Sequence, residues 1–259
     1  LLALEASDVD QFLKKLDISG EDLQKMADLA KAMQNLQMQM AEIGKTLGEQ
    51  LEKGQLPAAL ESLQYALSLA SDDSTANHAM ALLQLRLGDS NAARSHFETA
   101  LIAEHGNVAA RNDFGSYLCE KGAAREGIAQ FRQALKDPFN TRPYLSQYGL
   151  AVCLTRTGEL KSAREYLGRA LAAQPESGPI LYQSAVVGYG LGNHLSARGF
   201  LERFFGLGLT SPESLLLATR NEQKLGAVDL VGQYATRLRK GYPSSTQAAQ
   251  LDAVLRGGS

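Results

Sequence analysis

Small and large apolar residues recur along this chain with a period close to 34 residues. The glycines that mark the period, separated by 34, 34, 36, 34 and 34 residues, are Gly54, Gly88, Gly122, Gly158, Gly192 and Gly226. In most copies the residue five positions after the glycine is small, and the residue nine positions after it is large and apolar. These intervals match the turns of an α-helix, so the pattern predicts helices on both sides of each glycine.

Each repeat is predicted to contain a helix A, a tight turn at the glycine and a helix B. Glycine suits a turn with backbone angles that other residues avoid, and the small residue lets helices A and B approach closely. Pro175 and Pro243 predict the ends of two B helices, because proline cannot continue a helix. This is the tetratricopeptide-repeat (TPR) pattern. The sequence therefore predicts an all-α fold, a right-handed superhelical solenoid of about six repeats with capping helices.

The chain divides into three predicted segments. Residues 1–40 form a helical N-terminal extension or cap, residues 41–243 form the six-repeat TPR domain, and residues 244–259 form a C-terminal cap helix and tail. Met26, Leu29 and similar residues recur at helical spacing in the extension. This spacing favours a helix that covers the first repeat, and it leaves open a Met-rich partner-binding surface.

Composition and charge narrow the classes of partner. The chain carries 26 Lys and Arg against 28 Asp and Glu, a net charge of −2 without a long basic run. Nucleic acid and anionic lipid are therefore not expected to bind. Cys119 and Cys153 lie in no CxxC or His-rich motif, which excludes a zinc ribbon. We interpret them as small apolar fillers of the core, with a disulfide between adjacent repeats as the less favoured alternative.

Catalytic chemistry has no support in the sequence. The four histidines, which are scattered without metal-binding spacing and are expected on exposed helix surfaces, are His78, His96, His105 and His194. The sequence therefore predicts a non-enzymatic protein with no catalytic residues, metal site or cofactor.

A groove lined by the A helices is the predicted functional surface. Positions thirteen, ten, six, three and two residues before each marker glycine should point into it. The candidate partner-binding residues among them are Arg86, Asn112, Ser116, Tyr148, Val152, Arg156, Tyr182, Val186, Tyr189 and Arg220. Aromatic, apolar and arginine side chains together are typical of peptide binding, although the tyrosines have an alternative role in packing between repeats. Asn112 can hold a peptide backbone or bridge two helices.

The third repeat carries a more specific resemblance. The segment 111–119, Arg-Asn-Asp-Phe-Gly-Ser-Tyr-Leu-Cys, resembles the Asn-Asn-Tyr-Gly-x-Phe-Leu-Cys stretch of the type IV pilus biogenesis/stability lipoproteins, the PilF/PilW pilotin family. Residues 137–143, which contain two prolines, are similar to that family's extension between its third and fourth repeats. Residues 214–220 and 234–244 are similar to its last repeat, so the resemblance covers residues 41–245.

The resemblance implies a periplasmic TPR protein that is lipid-anchored to the inner leaflet of the outer membrane. Such a protein helps the pilus secretin to reach that membrane and to multimerise. The secretin is then the expected protein partner, other pilus assembly proteins are further candidates, and membrane contact is expected only through the lipid anchor. The family's lipid-bearing cysteine has no match in this sequence, and residues 1–40 have no recognised counterpart.

The alternative hypothesis is a cytoplasmic TPR adaptor or co-chaperone that docks peptide segments of another complex. Adaptors of this kind hold a terminal carboxylate with a Lys and an Asn on their first A helices. Gly44 and Gly48 occupy the corresponding inward positions here, which argues against a carboxylate clamp. A generic peptide-docking adaptor without the clamp stays open.

Overall fold

The computed structural model of the chain describes residues 21–22, 24–32, 34–35, 38–39, 42 and 54–256. The described residues between 21 and 42 are helical, and residues 54–256 contain twelve α-helices that we number in chain order. The B helices of the six repeats are α1 (Leu56–Leu69), α3 (Ser90–Ala103), α5 (Ala124–Lys136), α7 (Leu160–Ala173), α9 (His194–Gly206) and α11 (Val228–Gly241). The A helices of repeats two to six are α2 (Ser74–Leu87), α4 (Val108–Glu120), α6 (Pro143–Arg156), α8 (Gly178–Gly190) and α10 (Pro212–Leu225). A final helix, α12, spans Thr246–Leu255.

The helices pack in the order that the repeat predicts, within two compact units. Residues 1–105 form the first unit and residues 106–259 form the second. In each unit the A helix packs against the B helix of its own repeat, and in the second unit each B helix also packs against the next A helix. The TPR solenoid predicted from the periodicity is therefore confirmed as the fold class.

The marker glycines are the turns between helices A and B. All six have positive φ, between 68° and 85°, a conformation that costs other residues energy because of their Cβ atom. The turn predicted at these glycines is thus confirmed. Several A helices begin at a side-chain cap, as at Asp73, Asn107 and Ser211, whose side chains accept hydrogen bonds from backbone N–H groups of the first turn.

The core is built from the positions that the repeat pattern selects. Nine residues after the glycine lie Leu63, Phe97, Phe131, Leu167 and Leu201, each at most 2% exposed. The alanines five and twelve residues after the glycine are buried beside them, so helices A and B approach closely. Pro175 and Pro243 follow the ends of α7 and α11, as predicted.

The two predicted caps differ in what they bury. Helix α12 places Leu251 and Val254 against the cores of α10 and α11, which covers the end of the second unit. Leu255 is 36% exposed. Met26 and Leu29 are 60% and 62% exposed, so these side chains do not cover the first repeat. Gly44 and Gly48, the inward positions of the first A helix, lie outside the described residues.

A buried carboxylate and a half-buried arginine form an ion pair between α9 and α10. Glu222 is only 1% exposed, and its carboxylate accepts hydrogen bonds from the Arg198 guanidinium and from the Asn221 side chain. A buried carboxylate is tolerated when a cation and hydrogen bonds compensate for its lost hydration. Across the described ranges, no helix has the length and hydropathy needed to cross a lipid bilayer.

Candidate functional site

A cleft of about 570 Å³ lies between α4 and α6, the A helices of repeats three and four. All five positions of repeat three that the sequence directed into the groove line it, namely Ala109, Asn112, Ser116, Cys119 and Glu120. From repeat four, Leu145, Tyr148, Val152 and Arg156 line the opposite wall. Half of the ten candidate residues are therefore brought together in one place.

Among the described residues, Asn112 places a buried polar atom without a hydrogen-bond partner in this cleft. Its side-chain Oδ1 is buried and accepts no hydrogen bond within the described part of the chain. A buried amide oxygen without a donor costs free energy, and such atoms are rare in folded proteins. One N–H donor from a molecule in the cleft would remove this cost. The neighbouring Ser116 hydroxyl is already engaged, because it donates to the backbone oxygen of Asn112 at 3.1 Å.

Tyr148 adds a second polar group on the opposite wall. Its ring is half-buried, and burial raises the pKa of its hydroxyl above the usual value. The hydroxyl therefore stays protonated at neutral pH and can both donate and accept a hydrogen bond. Glu120 and Arg156 are exposed and provide one charge of each sign on the two walls.

A hydrogen-bonded loop between α5 and α6 lines one end of the cleft and presents an aromatic ring to solvent. Asn140 fixes this loop, because its Nδ2 donates to Ala134 O at 2.8 Å and its Oδ1 accepts from the backbone N–H of Arg142 at 3.1 Å. The backbone N–H of Phe139 donates to Asp137 Oδ1 at 2.8 Å. Phe139 lines the cleft and is nevertheless 87% exposed, so its ring adds little to the core.

The two cysteines form a disulfide at the cleft, which corrects the sequence-based interpretation. Cys119 on α4 and Cys153 on α6 are bonded, with their Cα atoms 5.6 Å apart. Their assignment as unlinked apolar fillers is therefore wrong. A glycine provides the space, because a Cβ atom at Gly127 would clash with Cys119 Sγ and lie 2.6 Å from Gly115 O. At this position four of the other repeats have alanine and the last has valine.

The remaining candidate residues do not line this cleft. Tyr182 packs against Phe204 with ring centroids 5.8 Å apart, and the pKa of its hydroxyl is raised by burial and then by the nearby Glu213 charge. Tyr189 contacts His194 edge to face at 5.3 Å. These two tyrosines therefore pack between helices, the alternative that their sequence positions left open. The other three, which are half-buried or exposed, are Val186 on α8, Arg220 on α10 and Arg86 on α2 of the first unit.

The histidines are also placed differently from the expectation of exposed helix positions. His105 is exposed, but His78, His96 and His194 are half-buried. His96 Nδ1 lies 2.9 Å from Asn77 Oδ1, and burial lowers the pKa of the His96 imidazole. The residues that the structure describes contain no group of three His, Cys, Asp or Glu side chains able to hold a metal ion.

Sequence reasoning missed Phe139 as part of the site. The available signal was the interval of 36 residues between Gly122 and Gly158, two residues longer than the others. The extra residues build the loop at residues 137–142 that carries the exposed ring at the end of the cleft.

Comparisons with known proteins agree with the repeat fold. A family profile of the tetratricopeptide repeat matches residues 78–140 and 112–179. The type IV pilus assembly protein PilF of Pseudomonas aeruginosa is 21% identical over 203 residues, which cover 78% of this chain and 81% of PilF. The resemblance drawn from the third repeat is thereby confirmed.

Solved structures give the same fold. The crystal structure of PilW, described as a widely conserved type IV pilus biogenesis factor, has a TM-score of 0.77 at 23% identity and covers 82% of this chain and 97% of PilW. The structure of Pseudomonas aeruginosa PilF has a TM-score of 0.76 at 20% identity and covers 85% of this chain and 99% of PilF. The chain is therefore a tetratricopeptide-repeat solenoid, related in sequence to PilF and in fold to both PilF and PilW.

Proposed function

We propose that this protein is a non-enzymatic scaffold that acts as a pilotin in type IV pilus biogenesis and binds a segment of the pilus secretin in the cleft between α4 and α6. The names of PilF and PilW support a role in pilus biogenesis. The choice of the secretin as the partner rests on the family resemblance of the third repeat. Binding in the cleft would help this partner to reach the outer membrane and to multimerise.

The observation that carries the proposal is the unpartnered Oδ1 of Asn112. An extended peptide segment offers backbone N–H groups at regular intervals, so one of them can donate to this oxygen. The walls of the cleft are preformed, because α4 and α6 are tied by the disulfide and by their shared core. A preformed site loses little conformational entropy on binding, and its affinity depends on a few anchors.

A periplasmic location at the outer membrane belongs to the same proposal. Disulfides form and persist in oxidising compartments such as the bacterial periplasm and are rare in the cytosol. The Cys119–Cys153 bond therefore supports the periplasmic alternative over the cytoplasmic adaptor. Fractionation of a piliated bacterium, with the native protein followed by antibody, tests this location directly.

Asn112→Ala is expected to weaken secretin recovery about two- to tenfold without loss of folding. The free energy of one hydrogen bond is about 0.5–1.5 kcal/mol, and removal of an unsatisfied amide should not destabilise the free protein. The measurement is a quantitative pull-down of secretin from a periplasmic and outer-membrane extract, alongside the melting temperature of each variant. Asn91→Ala, the same change at an exposed position of α3, serves as the matched control. Unchanged secretin recovery with Asn112→Ala, or recovery of cytosolic chaperones alone, contradicts the proposal.

Phe139→Ala is expected to reduce secretin recovery by tenfold or more. Burial of a phenylalanine ring against a partner contributes about 1.5–3 kcal/mol, and the hydrogen-bonded loop holds this ring ready for contact. The melting temperature should hardly change, because the ring is 87% exposed in the free protein. Ile102→Ala, at a 74% exposed position of α3, removes a similar apolar side chain far along the sequence. Equal recovery with both variants would rule out Phe139 as an anchor.

A further inference from the structure

Net positive charge in the second unit is carried by one class of helix. Its B helices α5, α7, α9 and α11 carry eleven Lys and Arg against four Asp and Glu, a net charge of +7. Its A helices α4, α6, α8 and α10 carry four basic and four acidic residues, a net charge of zero. In the first unit, α1 and α3 together carry one basic and two acidic residues. The whole-chain charge of −2 therefore conceals a strongly basic B-helix face.

Most of this charge is exposed to solvent. Arg198 pairs with Glu222 of α10 and Arg239 pairs with Asp252 of α12, so a net charge of +5 is left on the four helices. The other basic residues, all exposed, are Arg125, Arg132, Lys136, Lys161, Arg164, Arg169, Arg203, Arg237 and Lys240.

Three arginines of this face share one repeat position. Arg169, Arg203 and Arg237 follow their marker glycines by eleven residues, in repeats four, five and six. Contacts with neighbouring groups orient them. Arg169 lies over the ring of Tyr166 at 5.3 Å, Arg203 donates to the Pro175 carbonyl at 2.6 Å, and Arg237 lies over the ring of Phe205 at 4.9 Å.

We propose that this basic B-helix face docks on an anionic phospholipid surface. The charges are spread along four helices rather than gathered in one groove, an arrangement that suits a broad sheet of phosphates better than a single acidic peptide. Leu195 supports this choice, because it is 71% exposed and occupies the same repeat position as the basic residues Arg125 and Lys161. A leucine among cations can enter the boundary between headgroups and acyl chains.

Electrostatic attraction is large enough for measurable binding. A Lys or Arg near an anionic membrane surface raises affinity by a factor of about five, and the factors multiply for residues that act independently. Binding should fall steeply with salt, because the screening length shortens from about 10 Å at 0.1 M to about 3 Å at 1 M. Docking by the B helices leaves the cleft between A helices α4 and α6 free, so this inference does not depend on the proposed partner.

Vesicle co-sedimentation of the 259-residue chain tests the proposal. Vesicles of equal parts phosphatidylglycerol and phosphatidylcholine should bind the chain at low salt, and vesicles of phosphatidylcholine alone should not. The triple variant Arg169→Gln, Arg203→Gln, Arg237→Gln should bind the anionic vesicles about 100-fold more weakly. The control variant Lys121→Gln, Lys224→Gln, Arg256→Gln removes the same charge from outside the B helices and should stay within a few-fold of the parent chain.

Circular dichroism and melting temperature establish that each variant is folded. If the first triple variant loses helicity, Arg132→Gln, Lys136→Gln, Arg164→Gln removes three other exposed charges of the same face and should show a comparable loss of binding. No binding of the parent chain to anionic vesicles overturns the proposal. Equal weakening by the B-helix and control variants also overturns it, because it would show attraction by net charge rather than by this face.

Discussion

Phe131→Ala should lower the free energy of unfolding by about 3–5 kcal/mol, the cost typical of a buried phenylalanine cut back to alanine. The ring is 1% exposed and belongs to the core cluster that α5, α6 and α7 share. It fills a space that two glycines leave open, because a Cβ at Gly149 would clash with it and a Cβ at Gly115 would lie 3.0 Å from it. A cavity between α4, α5 and α6 would remain, since neighbouring backbones cannot close it. Denaturant titration of the parent chain and the variant gives the difference.

The matched control is Phe139→Ala, which makes the same chemical change eight residues away on an 87% exposed ring. Its effect on unfolding should stay within about 0.5 kcal/mol. The two variants therefore have different expected effects. Phe131→Ala should lower the free energy of unfolding, and Phe139→Ala should lower binding of the proposed partner. Similar small losses of stability in both would show that the packing around Phe131 adjusts after truncation, contrary to the expectation.

The fold could be predicted from the sequence because each repeat uses the same few residues for the same physical purpose. The glycine has a positive φ in all six turns, and the residues nine positions later are buried in the first five copies. Within each compact unit, a repeat packs mainly against the repeats next to it in the sequence. Local spacing therefore determines most of the core.

The disulfide could not be predicted with the same confidence, because the two cysteines have different positions relative to their turns. Cys119 lies three residues before Gly122, whereas Cys153 lies five residues before Gly158. Packed helices cross at an angle, so contacting residues of α4 and α6 need not share an offset. Gly127 in place of alanine was the remaining clue, since it makes space for Cys119 Sγ.

The candidate site was predicted only where side chains are free to face the cleft. Their distances from the marker glycines direct Asn112, Tyr148 and Val152 into the groove, and all three line the cleft between α4 and α6. Such distances could not show that Tyr182 and Tyr189 pack on Phe204 and His194, because a helical offset gives a direction and not the neighbour in that direction. Phe139 lies in a loop outside the repeat, where helical offsets do not apply.

The second large effect is expected from loss of the Cys119–Cys153 bond. The bond closes a loop of 34 residues, and release of such a loop in the unfolded chain corresponds to about 3–4 kcal/mol of stability. The double variant Cys119→Ala, Cys153→Ala should therefore unfold at clearly lower denaturant concentration than the oxidised parent chain. It should also bind secretin more weakly, because the bond holds together the two walls of the cleft.

Reductant provides the internal control for this prediction. The two cysteines are 7% and 0% exposed, so reduction should be slow in the folded protein and complete only after unfolding. The parent chain unfolded with reductant should then match the double variant, whereas reductant should leave the variant unchanged. If the oxidised parent and the double variant unfold at the same denaturant concentration, the shared core of α4, α5 and α6 holds the cleft without help from the bond.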